Sequence, residues 1–454
     1  MADAAREAQV DQHIVEHLDD TLNELSILCR QPSVAAQNNG IDECAQLVAE
    51  LLRKRGFFVE ILPGAGSPVV YGFADGLSRK TMLLYNHYDV QPAEPLDLWT
   101  SPAFEPTIRD GKYFARGAGD DKGHILCRLA ALDALKAVYG EYPCTVKFII
   151  EGEEEIGSPH LPDFVDQNKV MLKGDACLWE FGGVDYQDIP EMNIGMRGIC
   201  YVTLKVKTAS MDTHSGLGGS IFPNAAWRLV WALNTLKDQN ERILIPGFYD
   251  SVLPPSERDM QLLEAMPSEE EPIKAAYGLK GFLKGLTGVE LRRDAVFQPT
   301  CTICGITTGY QGPGQKTVLP AEASAKVDFR LVPNQTPREV IAKLRQHLDA
   351  QGFSDIEIEQ HGGTMPARVN PDDPFVQLCT EAAKDVYGVP MRVVPMSGGS
   401  GPLYPFVHVL GVPVANVGIG YPGGRAHAPD ENFRLSDFIK GAQHTARVLA
   451  RFAE

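Results

Sequence analysis

Thr145-Val-Lys-Phe-Ile-Ile-Glu-Gly-Glu-Glu-Glu-Ile-Gly-Ser158 is the stretch on which the reading of this chain turns. An apolar run over 146–150, bounded by turn residues, has the pattern of a buried strand. Four carboxylates, Glu151, Glu153, Glu154 and Glu155, crowd its end. Like charges at such spacing repel one another unless cations lie nearby. An isolated acidic cluster is more often a solvated turn. The rest of the chain overturns that reading for Glu154 and Glu155; Glu151 and Glu153 keep it.

Outward from this strand, helical and extended patterns alternate. Apolar residues recur at helical spacing over 14–29 and 42–55, with Gly56 as a stop. Strand patterns follow at 57–62, 69–73 and 81–85, a helix at 123–139, and, after the strand at 145–150, another strand at 177–181. Such alternation predicts an α/β domain: a mostly parallel sheet with helices on both faces and function at the carboxyl ends of its strands.

The character changes near 195. An alternating strand at 199–206, a helix at 224–236, an acidic, proline-bearing excursion over 245–300, a strand at 323–331, a helix at 337–351 and a strand at 355–360 suggest a separate α+β domain. Helix and strand patterns then resume at 373–387, 391–395, 412–417 and 436–452. The expected organisation is a catalytic domain in two parts, 1–194 and 365–454, interrupted by an inserted domain, 195–364.

Length and composition agree with a folded globular protein of this size. The 454 residues are 44% hydrophobic and 22% charged, which is ordinary globular composition. A formal charge of −17 without a long basic cluster excludes a nucleic-acid partner. The first 30 residues carry Asp11, Glu16, Asp19, Asp20 and Glu24 and no apolar core of a signal peptide. No stretch approaches the roughly 18 apolar residues of a membrane span, so the expectation is a soluble, cytoplasmic protein without a membrane partner. Nine cysteines are scattered without a framework; the pair Cys301 and Cys304 sits among strand-like residues and is read, like the others, as ordinary thiols.

Three further motifs carry chemistry. The strand pattern at 81–85 runs on into His87 and Asp89, which point the same way in extended chain, so that Asp89 can orient the imidazole of His87. Arg116-Gly-Ala-Gly-Asp-Asp-Lys-Gly123 has the glycines of a loop entering a helix, but its spacing matches no phosphate fingerprint and its adjacent carboxylates suit a cation. Gly423-Gly-Arg-Ala-His-Ala-Pro-Asp-Glu431 places His427 in a loop ahead of the final helix. Strand ends and loops thus supply His87, Asp120, the glutamates of 153–155, Glu180 and His427, enough donors for two zinc ions.

In order, spacing and wording these motifs resemble the di-zinc peptidase and deacylase superfamily of carnosinases, aminoacylases, acetylornithine and succinyl-diaminopimelate deacylases, and glutamate carboxypeptidase. The segments Ile199-Cys200, His214-Ser-Gly216, Phe329-Arg-Leu-Val-Pro333 and His361-Gly-Gly363 look most like the carnosinase-like dipeptidases. The resemblance implies that His87 and Glu180 hold one zinc, that Asp120 bridges the pair, and that Glu155 and His427 complete the second. It makes Glu154 the general base acting on a bridging water. Two zinc ions would balance Asp120, Glu155, Glu180 and a hydroxide, giving a neutral centre that is easier to bury than bare carboxylates. Manganese or cobalt could fill the same donor set.

The resemblance further implies a homodimer formed through the inserted lid domain, with His214 reaching the partner's site to stabilise the oxyanion. Thr317, Arg330, His361 and Ser400 match substrate-contacting positions. Two residues depart from the dipeptidase pattern. Glu180 stands where dipeptidases carry Asp and where deacylases and carboxypeptidases carry Glu. Met396 replaces the arginine expected four residues before Ser400, leaving Arg330 or Arg425 to grip a substrate carboxylate. The expected activity is cleavage of dipeptides or related amides; the alternatives are an N-acyl-amino-acid deacylase or carboxypeptidase on the same scaffold and, more remotely, a non-catalytic binding protein.

Overall fold

A computed structural model describes residues 4–454. The chain divides into two compact units. The first runs up to Gly195 and takes in Arg368–Pro395 and Pro402–Glu454; the second comprises Met196–Ala367 and the short return Met396–Gly401. Counting all of 365–454 with the first unit therefore overlooks that return. Its cause is apolar: Met396 is fully buried against Leu263 and Phe297 of the second unit.

The first unit is built on a six-stranded sheet in the order Phe58–Leu62, Val69–Ala74, Cys144–Glu151, Ser78–His87, Ala176–Trp179 and Val414–Asn416. The last three neighbouring pairs are parallel and the first two antiparallel. The sheet is thus parallel where the chemical motifs lie and ends in a meander at one edge. Val146, Phe148, Ile149 and Ile150 are all fully buried, as a strand covered on both faces requires.

Between the strands, Lys122–Tyr139 is buried along most of its length, because it packs against Leu435–Ala453, Ala4–Glu16 and Leu18–Arg30. The single helix expected over 14–29 is two helices that break at His17. Ile41–Lys54 shows the simpler amphipathic case: Ile41, Cys44, Ala45, Val48, Ala49 and Leu52 form its buried stripe, with acids in its first turn and bases in its last.

The second unit contains a four-stranded antiparallel sheet in the order Thr300–Thr308, Glu322–Leu331, Gly198–Lys207 and Glu357–Thr364. Ala225–Asn234 and Pro337–Ala350 pack on it around Val202, Leu204, Leu229, Val327, Phe329 and Leu344. Thr336 caps the second helix by accepting the N–H of Glu339, and Pro337 occupies its first turn. The excursion over 245–300 contains the helices Glu257–Ala265, Glu270–Tyr277 and Gly288–Phe297.

Among the described residues no helix is long and apolar enough to cross a membrane. All nine cysteines are free thiols; Cys301 is buried and Cys304 exposed.

Candidate metal centre

The parallel strands deliver the donors. His87 ends Ser78–His87 and lies opposite Glu151, while Ala176–Trp179, the neighbour on the other side, is followed at once by Glu180. The turn after Cys144–Glu151 carries Glu154 and Glu155 on one short helical turn, Glu154–Ile156.

His87 is fully buried. Its Nδ1 lies 3.0 Å from the backbone carbonyl of Asp89 and 3.3 Å from that residue's carboxylate. A carbonyl only accepts, so Nδ1 carries a proton, which leaves Nε2 as the nitrogen that can give its lone pair to a cation once its own proton is displaced. Asp89 also does work beyond orienting that ring. Its two carboxylate oxygens accept the backbone N–H groups of Glu154 and Glu155 at 3.2 and 3.0 Å, fixing the acidic turn against the histidine strand.

Asp120 lies between the two histidines. Its Oδ1 is 2.9 Å from His87 Nε2 and its Oδ2 is 2.9 Å from His427 Nε2. Glu155 approaches His427 Nε2 at 3.0 Å, and Glu180 lies 3.8 Å from His87 Nε2. Burial pushes the Asp120 carboxyl up, but the two imidazoles outweigh it and hold the group below its ordinary value. Burial likewise opposes the charged form of His87, yet the carboxylates of Asp120, Asp89 and Glu180 raise it well above its usual range. The Asp120 and Glu155 contacts raise His427 to about 10. Both rings are therefore set in a field that demands positive charge.

Glu180 makes the same demand from the other side. It is fully buried, and neither of its oxygens has a hydrogen-bond partner. Burial and the neighbouring Glu154 raise its carboxyl well above the ordinary value. Two triads have donor atoms close enough to hold an ion: His87, Asp121 and Glu180, and Asp120, Glu155 and His427. Orphaned carboxylate oxygens beside imidazole lone pairs fit a pair of divalent cations, and a donor set of oxygen and nitrogen without thiolate suits zinc, manganese or cobalt.

Asp121 is a candidate donor that the motif reading left out, although the adjacent acid pair was its signal. Its Oδ2 accepts from Asn86 Nδ2 at 2.5 Å and from the backbone of His87 at 3.2 Å, while Oδ1 has no partner. Glu431 was also missed as a support. It is buried and accepts from Arg116 Nη1 at 2.7 Å and from the N–H groups of Gly117, Gly119 and Asp120, which pins the loop carrying Asp120.

The solvated reading of Glu151 and Glu153 is wrong. Their residues are 2% and 7% exposed. Glu151 accepts from the Tyr85 hydroxyl at 2.6 Å and from Ser158 at 2.8 Å. Glu153 accepts the N–H of Ser67 at 3.0 Å and contacts His160 Nδ1 at 2.8 Å. They brace the turn from behind, so strand alternation brings acids to both of its sides.

Glu154 has no such partners. Burial first, then the negative charges of Asp120, Glu155 and Glu151, raise its carboxyl to about 8, with His87 acting against them. Backbone strain also gathers here: Phe181, next to Glu180, has φ +64°, and His427 has φ +62°. Each such non-glycine conformation costs on the order of 1–3 kcal/mol and persists only where surroundings over-determine it. A cavity of about 490 Å³ adjoins these segments, lined by Gly119, His124, Phe181, Tyr421, Arg425 and Ala426 among others.

The remaining predicted residues lie in the second unit and form three pairs. His214 accepts the N–H of Gly216 on Nδ1 at 3.0 Å, so its proton sits on Nε2, 3.1 Å from the hydroxyl of Thr317. Arg330 donates to Ser400 Oγ at 2.9 Å, and His361 Nε2 lies 2.6 Å from Thr203 Oγ1. Arg425 belongs to the first unit and lies 3.8 Å from Asp430.

A match to Peptidase family M20/M25/M40 spans residues 83–451. The chain belongs to this family. It is 30% identical over 381 residues to the Beta-Ala-His dipeptidase of Rattus norvegicus, covering 80% of this chain and 75% of the relative. It is 30% identical over 387 residues to the Cys-Gly metallodipeptidase dug1 of Schizosaccharomyces pombe, covering 82% and 80%. Among solved structures, the M20 family metallo-carboxypeptidase Sso-CP2 from Sulfolobus solfataricus superposes with a TM-score of 0.90 at 37% identity, covering 95% of this chain and 99% of that one. The M20 protein described here is accordingly a metal-dependent peptidase.

Proposed function

We propose that this M20 peptidase is a di-zinc dipeptidase whose centre is organised by Asp120. The observation that carries the reading is the Asp120 carboxylate, which turns one oxygen to His87 and the other to His427 at equal distances of 2.9 Å. His87, Asp120 and Glu180, with Asp121 in reach, would hold one ion; Asp120, Glu155 and His427 would hold the other. When bound, such ions polarise the amide carbonyl and make water acidic enough to react near neutral pH.

The chain's own residues do the rest. Glu154 takes the proton of the attacking water and passes it to the leaving amine nitrogen, which avoids expelling an amide anion. Its carboxyl is raised first by burial and then by the unneutralised charges of Asp120 and Glu155; neutralising those charges lowers it towards the range in which a base works at pH 7. His214, with its proton on Nε2, is a donor suited to the tetrahedral oxyanion of a second copy's substrate. Arg330 with Ser400 takes the substrate's terminal carboxylate, and Thr317 and His361 complete its contacts.

A homodimer through the second unit is supported by the exposed apolar side chains of that unit. Leu217, Ile221, Phe222, Trp227, Val230 and Trp231 are all exposed there, and the two indole rings stack at 5.9 Å. Nine free thiols, eight of them buried, agree with a reducing, cytoplasmic setting.

Carboxypeptidase action on larger substrates is the second reading, favoured by Glu180 and by the 37% identity to Sso-CP2. Rates on free dipeptides, N-acetyl amino acids and N-blocked dipeptides separate the two. Turnover confined to free dipeptides is the expected result; turnover confined to N-blocked compounds would reject the dipeptidase assignment.

A further inference from the structure

The second unit contains an arginine whose surroundings leave its charge unbalanced. Arg197 is 6% exposed, and among the described residues it forms no ion pair. Its Nη1 donates to the carbonyl of Ala295 at 2.8 Å and Nη2 to Thr300 Oγ1 at 3.4 Å, while Nε has no partner. A buried cation without a counter-ion is costly. Burial and the nearby Arg330 charge pull its pKa down to about 10, against the attraction of Asp328. Asp328 is already engaged by Arg330 Nε at 3.2 Å. Two guanidinium groups thus act on one carboxylate, and the balance of these three charges is positive.

Arg197 is also joined to both halves of the Arg330–Ser400 pair. Its backbone N–H donates to the carbonyl of Gly399 at 3.0 Å, one residue before Ser400. Thr300 Oγ1, which receives Nη2 of Arg197, also accepts the backbone N–H of Arg330 at 3.4 Å. At the start of the same return, Met396 is committed to the apolar cluster with Leu263 and Phe297. Position 396 therefore anchors helices of the excursion and offers nothing to an anion.

We propose that Arg197 is a positioning residue for an anion subsite formed by Arg330 and Ser400, supplying the second positive charge that Met396 does not. The anion is the terminal carboxylate of a peptide substrate. The proposal rests on the dipeptidase reading and deepens it by assigning how the carboxylate is recognised. Arg197 fixes the strand that carries Arg330 and the loop that carries Ser400, and its positive charge lowers the energy of an entering carboxylate.

The test compares a dipeptide with the same dipeptide as its C-terminal amide, using metal-loaded wild type, Arg197→Met, Arg197→Lys and Arg330→Met. Metal content and melting temperature are measured on each sample. Wild type is expected to prefer the free carboxylate. Arg197→Met should raise KM for the dipeptide about tenfold with kcat nearly unchanged, leave the amide within about twofold of wild type, and so collapse the preference. Arg197→Lys keeps the charge without the fork, and should recover part of it. If Arg197→Met melts early, Arg197→Lys decides alone, with a selective rise of a few fold in KM for the dipeptide. Equal losses on both substrates, or an unchanged preference in a folded variant, would reduce Arg197 to a structural role and overturn the proposal. Failure of the underlying reading has a different signature: wild type itself would turn over no dipeptide, or would not distinguish acid from amide.

Discussion

The two units carry opposite charge excesses. In the first, Asp120, Asp121, Glu154, Glu155 and Glu180 surround two imidazoles, and the surplus is negative. In the second, Arg197 and Arg330 share Asp328, and the surplus is positive. A folded chain tolerates such an excess where a ligand of the other sign completes it, because pairing offsets the desolvation of both charges. The first unit thus calls for cations and the second for an anion. On the proposed reading, one unit breaks the bond and the other chooses the substrate.

The largest effect that can break this comparison is metal removal. Dialysis against a chelator should abolish peptide hydrolysis, by at least about 1,000-fold, and zinc should restore it. Metal analysis of protein purified without chelator should find two ions per chain, unchanged in Arg197 or Arg330 variants. Loss of metal from those variants would dissolve the division of labour.

Glu154→Gln comes next. It removes the base and leaves the donors, so kcat should fall by about 100-fold or more with both ions retained. Comparable kcat in variant and wild type would remove Glu154 from the proton path. His214→Ala should lower kcat by up to about 100-fold, again at constant metal content, through loss of one oxyanion donor.

Much of the first unit was legible because its signals are local. A strand ends in a chemical residue at His87 and at 151–155, and parallel pairing brings those ends together. What stayed hidden depended on packing. Glu151 and Glu153 looked like surface acids until their burial against Tyr85, Ser158 and Ser67 was seen. Asp121 was visible as half of an acid pair, but only the fold brings its carboxylate close to His87 and Glu180. Glu431 supports a loop more than 300 positions earlier in the chain, a separation that no spacing rule reaches. In the second unit the return Met396–Gly401 was missed for the same reason: its membership is decided by apolar contact with Leu263 and Phe297.

A smaller effect is the pH dependence of metal binding. Without ions, His427 is raised from 6.5 to about 10 and Glu154 from 4.5 to about 8. A group with a raised folded pKa contributes stability that is full below its unfolded pKa and is lost as pH rises through its folded pKa. These two groups should therefore cost the metal-free protein thermal stability from about pH 4.5, where Glu154 begins to ionise in the unfolded chain, up to about pH 10, where His427 loses its proton in the folded one. Ions must displace those protons, so metal affinity should rise by about tenfold per pH unit between pH 6 and 8 for each proton released. Competition titrations with a chromophoric chelator measure it. Affinity independent of pH would mean that the donors are not protonated in the free site, and that its negative surplus is balanced in some other way.

The smallest expected effect lies at Met396, where the comparison is sharpest. The residue is fully buried and packs with Leu263 and Phe297, so Met396→Leu conserves volume and should cost less than about 1.5 kcal/mol. In a chain of this size that is a melting shift of a few degrees, with metal content and KM for a dipeptide unchanged. Met396→Arg asks the opposite question of the same position. If 396 pointed at the substrate, the new guanidinium would tighten the grip on a carboxylate and lower KM. If it points into the apolar cluster, as the contacts show, an unpaired cation is forced among Leu263 and Phe297, and the protein is destabilised without any gain in KM. A stable Met396→Arg variant with a lower KM would therefore mean that the positive surplus of the second unit is smaller than its two arginines suggest, and that the loop carrying Ser400 can turn its side chains towards the substrate.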